Sequence, residues 1–245
     1  MALDIYQVLG TVGTFTPVIV AFLLWKKINE NVQKMDFPQE KKKSISLISA
    51  ALLFGWFLLV LALAFLDIYH VKAEFFSPLV PIGIVLPGII ALVLVFFSET
   101  TKKIVDSLPG HWLISLQLYR ILGIVFLWQL EAKALPALYA IPSGYGDIIT
   151  GLAAPIVGYL YLKKISFSRG LAVLWNIFGI LDLAVAVTLG VLLAFPQPFQ
   201  LIAVATTTEI MTTYPLVLVP VYAVPLAFML HVFSLRGLLR KNNPA

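Results

Sequence analysis

The stretch Leu171–Phe195, LAVLWNIFGILDLAVAVTLGVLLAF, decides the fold class because it is long, apolar and interrupted by a single charged residue, Asp182. A helix of about 20 apolar residues crosses a hydrocarbon core of ~30 Å. The chain contains six further apolar runs of similar length. The sequence therefore predicts seven transmembrane helices, at Ile5–Trp25, Ile45–Leu66, Phe76–Phe97, His111–Leu130, Leu135–Leu162, Leu171–Phe195 and Pro215–Leu235.

The composition excludes a soluble fold. Of the 245 residues, 60% are hydrophobic and 12% are charged, whereas soluble domains carry about 25% charged residues. We expect an all-α, polytopic membrane protein in which residues 1–245 form a single membrane domain. The lack of cysteine excludes disulfides, thiolate metal sites and thiol catalysis. No nucleophile elbow, zincin motif or phosphate-binding glycine loop occurs, so the sequence does not predict an enzyme.

The basic residues indicate an orientation. All but three of the 17 Lys and Arg residues fall in the first, third and fifth connections or in the C-terminal tail. The exceptions are Lys72 and Lys133 on the opposite side and Arg120 inside a helix. The positive-inside rule then places the N-terminus outside and the C-terminus in the cytoplasm, and we expect the plasma membrane. The net charge of +5 reflects this topology, so we do not expect nucleic-acid binding.

Similar segments recur along the chain at an offset of 138 residues: Gly13-x-x-x-Pro17 recurs as Gly151-x-x-x-Pro155, and Pro87 recurs as Pro225. We therefore expect a parallel 3+1+3 internal repeat, with three helices in residues 5–97, a linker helix at 111–130 and three helices in 135–235. A single linker helix keeps both triplets in the same orientation, so the axis relating them runs along the membrane normal.

This arrangement resembles the SWEET and PQ-loop transporters, which also have three-plus-one-plus-three helices and an outside N-terminus. The resemblance spans the whole chain and rests on topology alone. Their Pro-Gln signature is absent, because Pro17 is followed by Val18 and Pro155 by Ile156. The resemblance implies a transporter and assigns no role to any individual residue.

Three charged residues, Arg120, Asp147 and Asp182, lie near the middle of predicted helices. A charge at the bilayer centre costs roughly 2.5–3.5 kcal/mol on insertion scales, so such residues face the bundle interior and pair there. Asn176 and Gln117 add hydrogen-bonding capacity nearby. We expect these five residues to form a substrate-binding site or a proton relay, in which Arg120 binds an anionic group or holds one Asp ionised. The alternative is a structural Arg–Asp pair that fixes helix packing.

The fifth predicted helix carries two further signals. Small residues follow one face around Asp147, at Gly144, Gly151, Ala154 and Gly158, which predicts close approach of a neighbouring helix. Proline and glycine are also concentrated at its start, which predicts a broken or kinked helix around residues 141–146. Broken helices beside intramembrane charges are typical of transporter binding sites. Five prolines are candidate hinges for alternating access: Pro17, Pro87, Pro142, Pro155 and Pro225.

The leading functional hypothesis is a small, proton-coupled transporter with a midplane polar site between the two helix triplets. A cofactor- or lipid-binding protein or intramembrane enzyme is one alternative, and a non-catalytic membrane subunit or sensor is another. No metal site is predicted. No cofactor is predicted either, although His111 and His231 are a weak candidate pair of haem ligands. The expected partners are the lipid bilayer, a small-molecule or ion substrate and, in a homo-oligomer, other copies of the chain.

Overall fold

The computed structural model describes residues 5–70, 78–194 and 202–240, with residues 5–14 described by their backbone alone. These residues form eight helices, a short 3₁₀ turn at Glu209–Thr212 and no β-strand. The helices are α1 Ile5–Gln33, α2 Gln39–Phe65, α3 Leu79–Phe97, α4 Glu99–Asp106, α5 Gly110–Glu131, α6 Ala137–Leu162, α7 Ser168–Leu192 and α8 Val219–Leu239.

Six of these helices, α2, α3, α5, α6, α7 and α8, are long and apolar enough to cross a membrane. Large apolar side chains on their outer surfaces are exposed, including Leu58, Ile89 and Ile156, as expected where lipid is the solvent. The prediction of an all-α, polytopic membrane protein is therefore confirmed. The first predicted span lies within α1, which is 29 residues long and is not among these six. The predicted boundaries Phe76 and Phe195 fall outside the described residues.

The break that the sequence allows around residues 141–146 is absent, whereas the alternative of a kink there stays a prediction. Helix α6 is continuous from Ala137 to Leu162, with Pro142 and Pro155 inside it. The glycines near Pro142 serve close packing instead of a break. A Cβ added to Gly144 would lie 2.8 Å from the Leu127 side chain of α5. Each internal proline removes one backbone donor, and the neighbouring helix holds the remaining turns in place.

The irregular backbone lies in other helices. The middle of α5 is a 3₁₀ segment at Gln117–Gly123, and it carries Arg120. Helix α2 contains a π-helical segment at Ala51–Gly55, and α8 begins with another at Val219–Ala223. Short π segments within helices occur often at functional sites.

The two π segments are joined to each other by hydrogen bonds. Pro225 has no N–H to donate to the Val221 carbonyl four residues before it. The Trp56 indole donates to that carbonyl at 3.0 Å, and the Tyr222 hydroxyl donates to the Leu53 carbonyl at 3.1 Å. Both bonds satisfy backbone groups that have no water to bind in a membrane, and together they attach α2 to α8.

The small-residue face of α6 packs on α5, which confirms the predicted close approach. A Cβ on Gly151 would lie 2.6 Å from the Ile121 backbone nitrogen, and one on Gly158 would lie 2.4 Å from Ser115 Oγ. Ala154 is fully buried. The linker helix of the predicted repeat is therefore in intimate contact with the helix that carries Asp147.

Ionic contacts hold the end of α8 and the connection that precedes it. In the last turn, Arg236 donates to Asp106 Oδ1 at 2.8 Å and to Oδ2 at 3.0 Å, and Arg240 Nη1, just after the helix, lies 2.8 Å from Oδ2. On the opposite side, His70 Nε2 lies 2.9 Å from Glu209 Oε1, and His70 Nδ1 lies 3.1 Å from Asp67 Oδ2.

The contact between His70 and Glu209 depends on pH. The hydrogen bond to Glu209 raises the pKa of the His70 imidazole; partial burial opposes this rise and the hydrogen bond to Asp67 adds to it. A histidine with a raised pKa in the folded protein stabilises the fold below its unfolded value of about 6.5, and this stabilisation is lost as the pH rises through the folded value.

We predict that His70→Gln lowers stability at acidic pH and has little effect at alkaline pH. The expected loss is about 0.2–1 kcal/mol, because these side chains are partly exposed. Thermal unfolding of the full chain in detergent at about pH 5.5 and about pH 9 measures it. Glu209→Gln should give the same pattern, and a penalty that grows with pH would contradict the assignment.

Candidate functional site

Arg120 is the centre of a buried ionic cluster. It is 3% exposed and projects from the 3₁₀ segment of α5. Asp147 Oδ1 on α6 lies 2.6 Å from both Nε and Nη2, and Nη2 also donates to Asp182 Oδ2 on α7. The structure thus brings together the three charged side chains that the sequence places in mid-helix. A guanidinium with two carboxylates in apolar surroundings satisfies the requirement that intramembrane charges be paired.

The remaining donors of the guanidinium point to α7 and α8. Nη1 lies 3.4 Å from the Gly179 carbonyl and 3.2 Å from His231 Nε2. A guanidinium can only donate, so Nε2 must accept and the imidazole proton must be on Nδ1. Nδ1 lies 2.9 Å from Asn176 Oδ1 and donates to it. His231 is therefore a neutral imidazole that orients Arg120.

The hydrogen-bonded chain continues beyond His231. Asn176 Nδ2 donates to Ser234 Oγ at 3.0 Å and to the Ala172 carbonyl at 2.8 Å. Asn176 and His231 are fully buried and Ser234 is 1% exposed. A continuous polar path therefore leads from Arg120 toward the end of α8 that Asp106 holds.

The cluster has one more acid than it has bases. With Arg120 positive, both carboxylates ionised and His231 neutral, its net charge is −1. The side chains of Asp147 and Asp182 are 19% and 8% exposed, so this charge is largely withdrawn from solvent. A proton on either carboxylate makes the cluster neutral. An unbalanced charge in a low-dielectric site is the arrangement that favours binding of a proton or a cation.

Three glycines allow side chains of the cluster to pack directly against the helix backbone. A Cβ on Gly146 would lie 1.7 Å from Asp182 Oδ1, and one on Gly123 would lie 2.3 Å from Asp147 Cβ. A Cβ on Gly179 would lie 2.4 Å from His231 Nε2. All three distances are shorter than any real contact, so an alanine at these positions would displace a member of the cluster.

Asp147 lines two small cavities. The first, of about 50 Å³, also contacts Tyr119, Arg120 and Phe126. The second, of about 60 Å³, extends from Asp147 to Thr208 and Thr212 in the connection before α8. Each water needs roughly 10–15 Å³ of such volume, so each cavity has room for a few waters or a small ion. The second cavity therefore connects the cluster with the side of the 202–218 connection.

The other predicted site residues lie around this centre. Gln117 is 1% exposed, and its Nε2 donates to the Ala227 carbonyl at 2.9 Å. It attaches α8 to α5 and is not among the hydrogen-bond partners of Arg120. Among the candidate hinges, Pro17 lines the first cavity, and Pro142 and Pro155 lie within α6. Pro87 lies within α3, and Pro225 follows the π segment of α8. Their hinge role remains a prediction.

The sequence allows two interpretations of His231: a haem ligand paired with His111, or, as the favoured alternative, a histidine at an interface or in a cavity. Both ring nitrogens of His231 already hold hydrogen bonds within the cluster, so ligation by it would require breaking them. A titratable residue inside an apolar helix predicts a buried polar contact. His231 meets this criterion, as Arg120 does. Gly123 was missed, because a glycine that admits a neighbouring side chain has no signature in one sequence.

The charged side chains of the cluster and His231 all come from α5, α6, α7 and α8. The two cavities beside Asp147 are also lined by residues of the first predicted triplet, Pro17 of α1 and Val80, Pro81 and Ile84 of α3. Helix α5 contributes the arginine from its 3₁₀ segment, which packs against the small-residue face of α6.

Fold and site define a polytopic helical membrane protein with a buried Arg–Asp–Asp cluster. The chain belongs to the family described as Domain of unknown function (DUF8737), whose model matches residues 77–239. This match spans α3 to α8 and includes every member of the cluster. No curated protein and no solved structure matches the chain.

We predict that Gly146→Ala destabilises the fold by about 1–3 kcal/mol, the usual cost of overpacking. The new methyl group would overlap Asp182 and separate it from Arg120. Gly170→Ala is the matched control, because a Cβ there meets nothing within 4 Å. It should be neutral or slightly stabilising, since alanine is the better helix former. The midpoints of thermal unfolding of the two variants in detergent measure the difference. Equal midpoints would contradict the close packing of Gly146 on Asp182.

We predict that Arg120→Met destabilises the fold by about 3–5 kcal/mol, because it leaves two buried carboxylates without their cation. Adding Asp147→Asn and Asp182→Asn to the same chain should restore part of this loss by removing both charges. The midpoint of thermal unfolding measures the rescue. If the triple variant is no more stable than Arg120→Met, the carboxylates do not interact with Arg120 as charges.

Proposed function

We propose that this protein is a small proton-coupled transporter in which Asp147 and Asp182 compete for Arg120. The supporting observation is the single guanidinium shared by two carboxylates, one of which lines two water-sized cavities. When a hydronium ion in the cavity gives its proton to Asp147 and leaves as water, that carboxylate loses its attraction for the guanidinium. Arg120 then remains paired with Asp182 alone, and the ion pair between α5 and α6 is lost.

We propose that a proton path enters the cluster on its cavity side and leaves on the side of His231. Toward the 202–218 connection, the second cavity joins Asp147 to Thr208 and Thr212. In the opposite direction, the path consists of the hydrogen-bonded side chains His231, Asn176 and Ser234. Imidazole is suited to a relay, because one ring nitrogen can accept a proton while the other releases one.

The transported solute must be small in this conformation. Cavities of about 50 and 60 Å³ are far below the roughly 300–1,000 Å³ of sites for drug-sized ligands. A larger solute would require the helices to separate around the cluster. The internal prolines of α1, α3, α6 and α8 are the hinges we propose for this movement.

We also propose the seven-helix topology, counting α1 as the first span. Its 29 residues are long enough, because about 20 suffice. A 3+1+3 repeat then makes α5 the linker, with the N-terminus outside and the C-terminus in the cytoplasm of a plasma membrane. The distribution of Lys and Arg supports this orientation, and it places the cavities on the outer side of the cluster.

Proteoliposomes containing the full chain and an internal pH-sensitive dye test the transport proposal. Small neutral, anionic and cationic solutes are added one class at a time under an imposed membrane potential. We expect at least one class to drive proton movement above that of empty liposomes. Asp147→Asn and Asp182→Asn should each reduce this movement by roughly tenfold or more, because a positioned acid carries the proton.

Glu131→Gln is the matched control, because Glu131 is an exposed carboxylate on the same helix as Arg120. It should leave proton movement unchanged. The proposal fails if no solute class moves protons, or if folded Asp147→Asn and Asp182→Asn proteins move them as well as the unmodified chain does. A purely structural ion cluster would give the second result.

A further inference from the structure

A large groove lies away from the ionic cluster, between α2 and α3. Its volume is about 570 Å³, and residues of α8 and α1 form its floor. This volume is about ten times that of either cavity beside Asp147. It falls within the roughly 300–1,000 Å³ that is typical of ligand sites.

The groove persists because both walls pack on α8 and small residues face the space between them. Helix α2 is attached to α8 through Trp56 and Tyr222. Helix α3 approaches α8 through Gly83, where a Cβ would lie 2.9 Å from Val221. On the α2 wall, a Cβ added to Gly55 would meet nothing within 4 Å, and Ala51 is also exposed.

Polar and apolar groups are separated along the groove. Lys41 is exposed and lines one end, together with Thr100 and Thr101 from the first turn of α4. Apart from the serines at 44, 49 and 98, the rest of the lining is mainly apolar, and no carboxylate is present among the described residues of the groove. The start of α2 and the end of α3 meet at this end of the groove, so the polar groups lie at one membrane surface.

The ligand that matches this pattern has an anionic head and an apolar tail of membrane length. A lysine ammonium and threonine hydroxyls can donate to a phosphate, and the first turn of α4 adds the favourable end of a helix dipole. The tail would lie against Leu52 and Leu59 on one wall and Ile90 on the other. Basic pockets between transmembrane helices bind lipid head groups in this way.

We propose that this groove binds one anionic glycerophospholipid, with its phosphate at Lys41 and Thr101 and an acyl chain running past Gly55 along the floor of α8. The surrounding bilayer supplies such a lipid at high concentration. The site is separate from the Arg120 cluster, so it does not depend on the transport proposal.

Native mass spectrometry of the full chain in a mild detergent tests this site. Phosphatidylglycerol and phosphatidylcholine with the same acyl chains are added at equal concentration. We expect one phosphatidylglycerol to bind in preference by about fivefold, the effect of one lysine near a lipid phosphate. Lys41→Gln should remove the preference. Lys43→Gln removes the same charge outside the groove, where Lys43 Nζ lies 3.3 Å from Glu40, and should keep it.

The apolar part of the site is tested by filling it. Gly55→Leu and, separately, Ala51→Leu should lower retention of both lipids, with thermal unfolding measured to confirm that each variant is folded. Equal binding of the two lipids, or equal effects of Lys41→Gln and Lys43→Gln, would overturn the head-group site. Unchanged lipid retention in both folded leucine variants would overturn the acyl-chain site and leave only lipid of the surrounding annulus.

Discussion

The burial of one guanidinium dominates this structure. Arg120 is always charged, and it lies among apolar helices where water cannot solvate it. Its donors are instead directed at two carboxylates, the Gly179 carbonyl and the His231 imidazole. Helices α5 to α8 must all reach it at once, so their spacing is fixed by the length of one side chain. The glycines at 123, 146 and 179 follow from this requirement, since a methyl group at any of them would occupy the place of a polar partner.

The need for a protein partner for every buried polar group also explains the contacts of the irregular backbone segments. In a membrane, every N–H and carbonyl needs a protein partner. Where Pro225 leaves the Val221 carbonyl unpaired, the Trp56 indole of a distant helix donates to it. The Tyr119 hydroxyl likewise donates to the Ala223 carbonyl at 3.0 Å in the π segment of α8. The irregular start of α8 is therefore one of the places where α8 is joined to α2 and α5.

The fold class and the residues of the cluster could be predicted from the sequence, whereas the geometry of the helices could not. Long apolar runs indicate spans because the bilayer thickness sets a length, and Arg120, Asp147 and Asp182 stand out because charge is costly there. The helix is not broken near Pro142. The sequence could not exclude a break, because a glycine can indicate either a flexible backbone or close packing of a neighbouring helix. His231 contacts Asn176 because its side of α8 faces α7. The apolar residues of α8 show no clear helical periodicity, so the sequence does not indicate which side of the helix faces α7.

The structure is asymmetric about the cluster, and this asymmetry bears on how it could work. On the side of the 202–218 connection, small cavities reach Asp147 directly. On the other side, no cavity separates Arg120 from His231, and beyond Ser234 the end of α8 is held by Asp106 and by Arg169, whose Nε donates to the Leu238 carbonyl at 2.8 Å. Access from that side requires these contacts to break, whereas on the first side the second cavity already extends from Asp147 to Thr208 and Thr212. In the transport cycle that we propose, this structure is therefore the state in which the cluster faces the cavities, and the pairing of Arg120 is the interaction that changes.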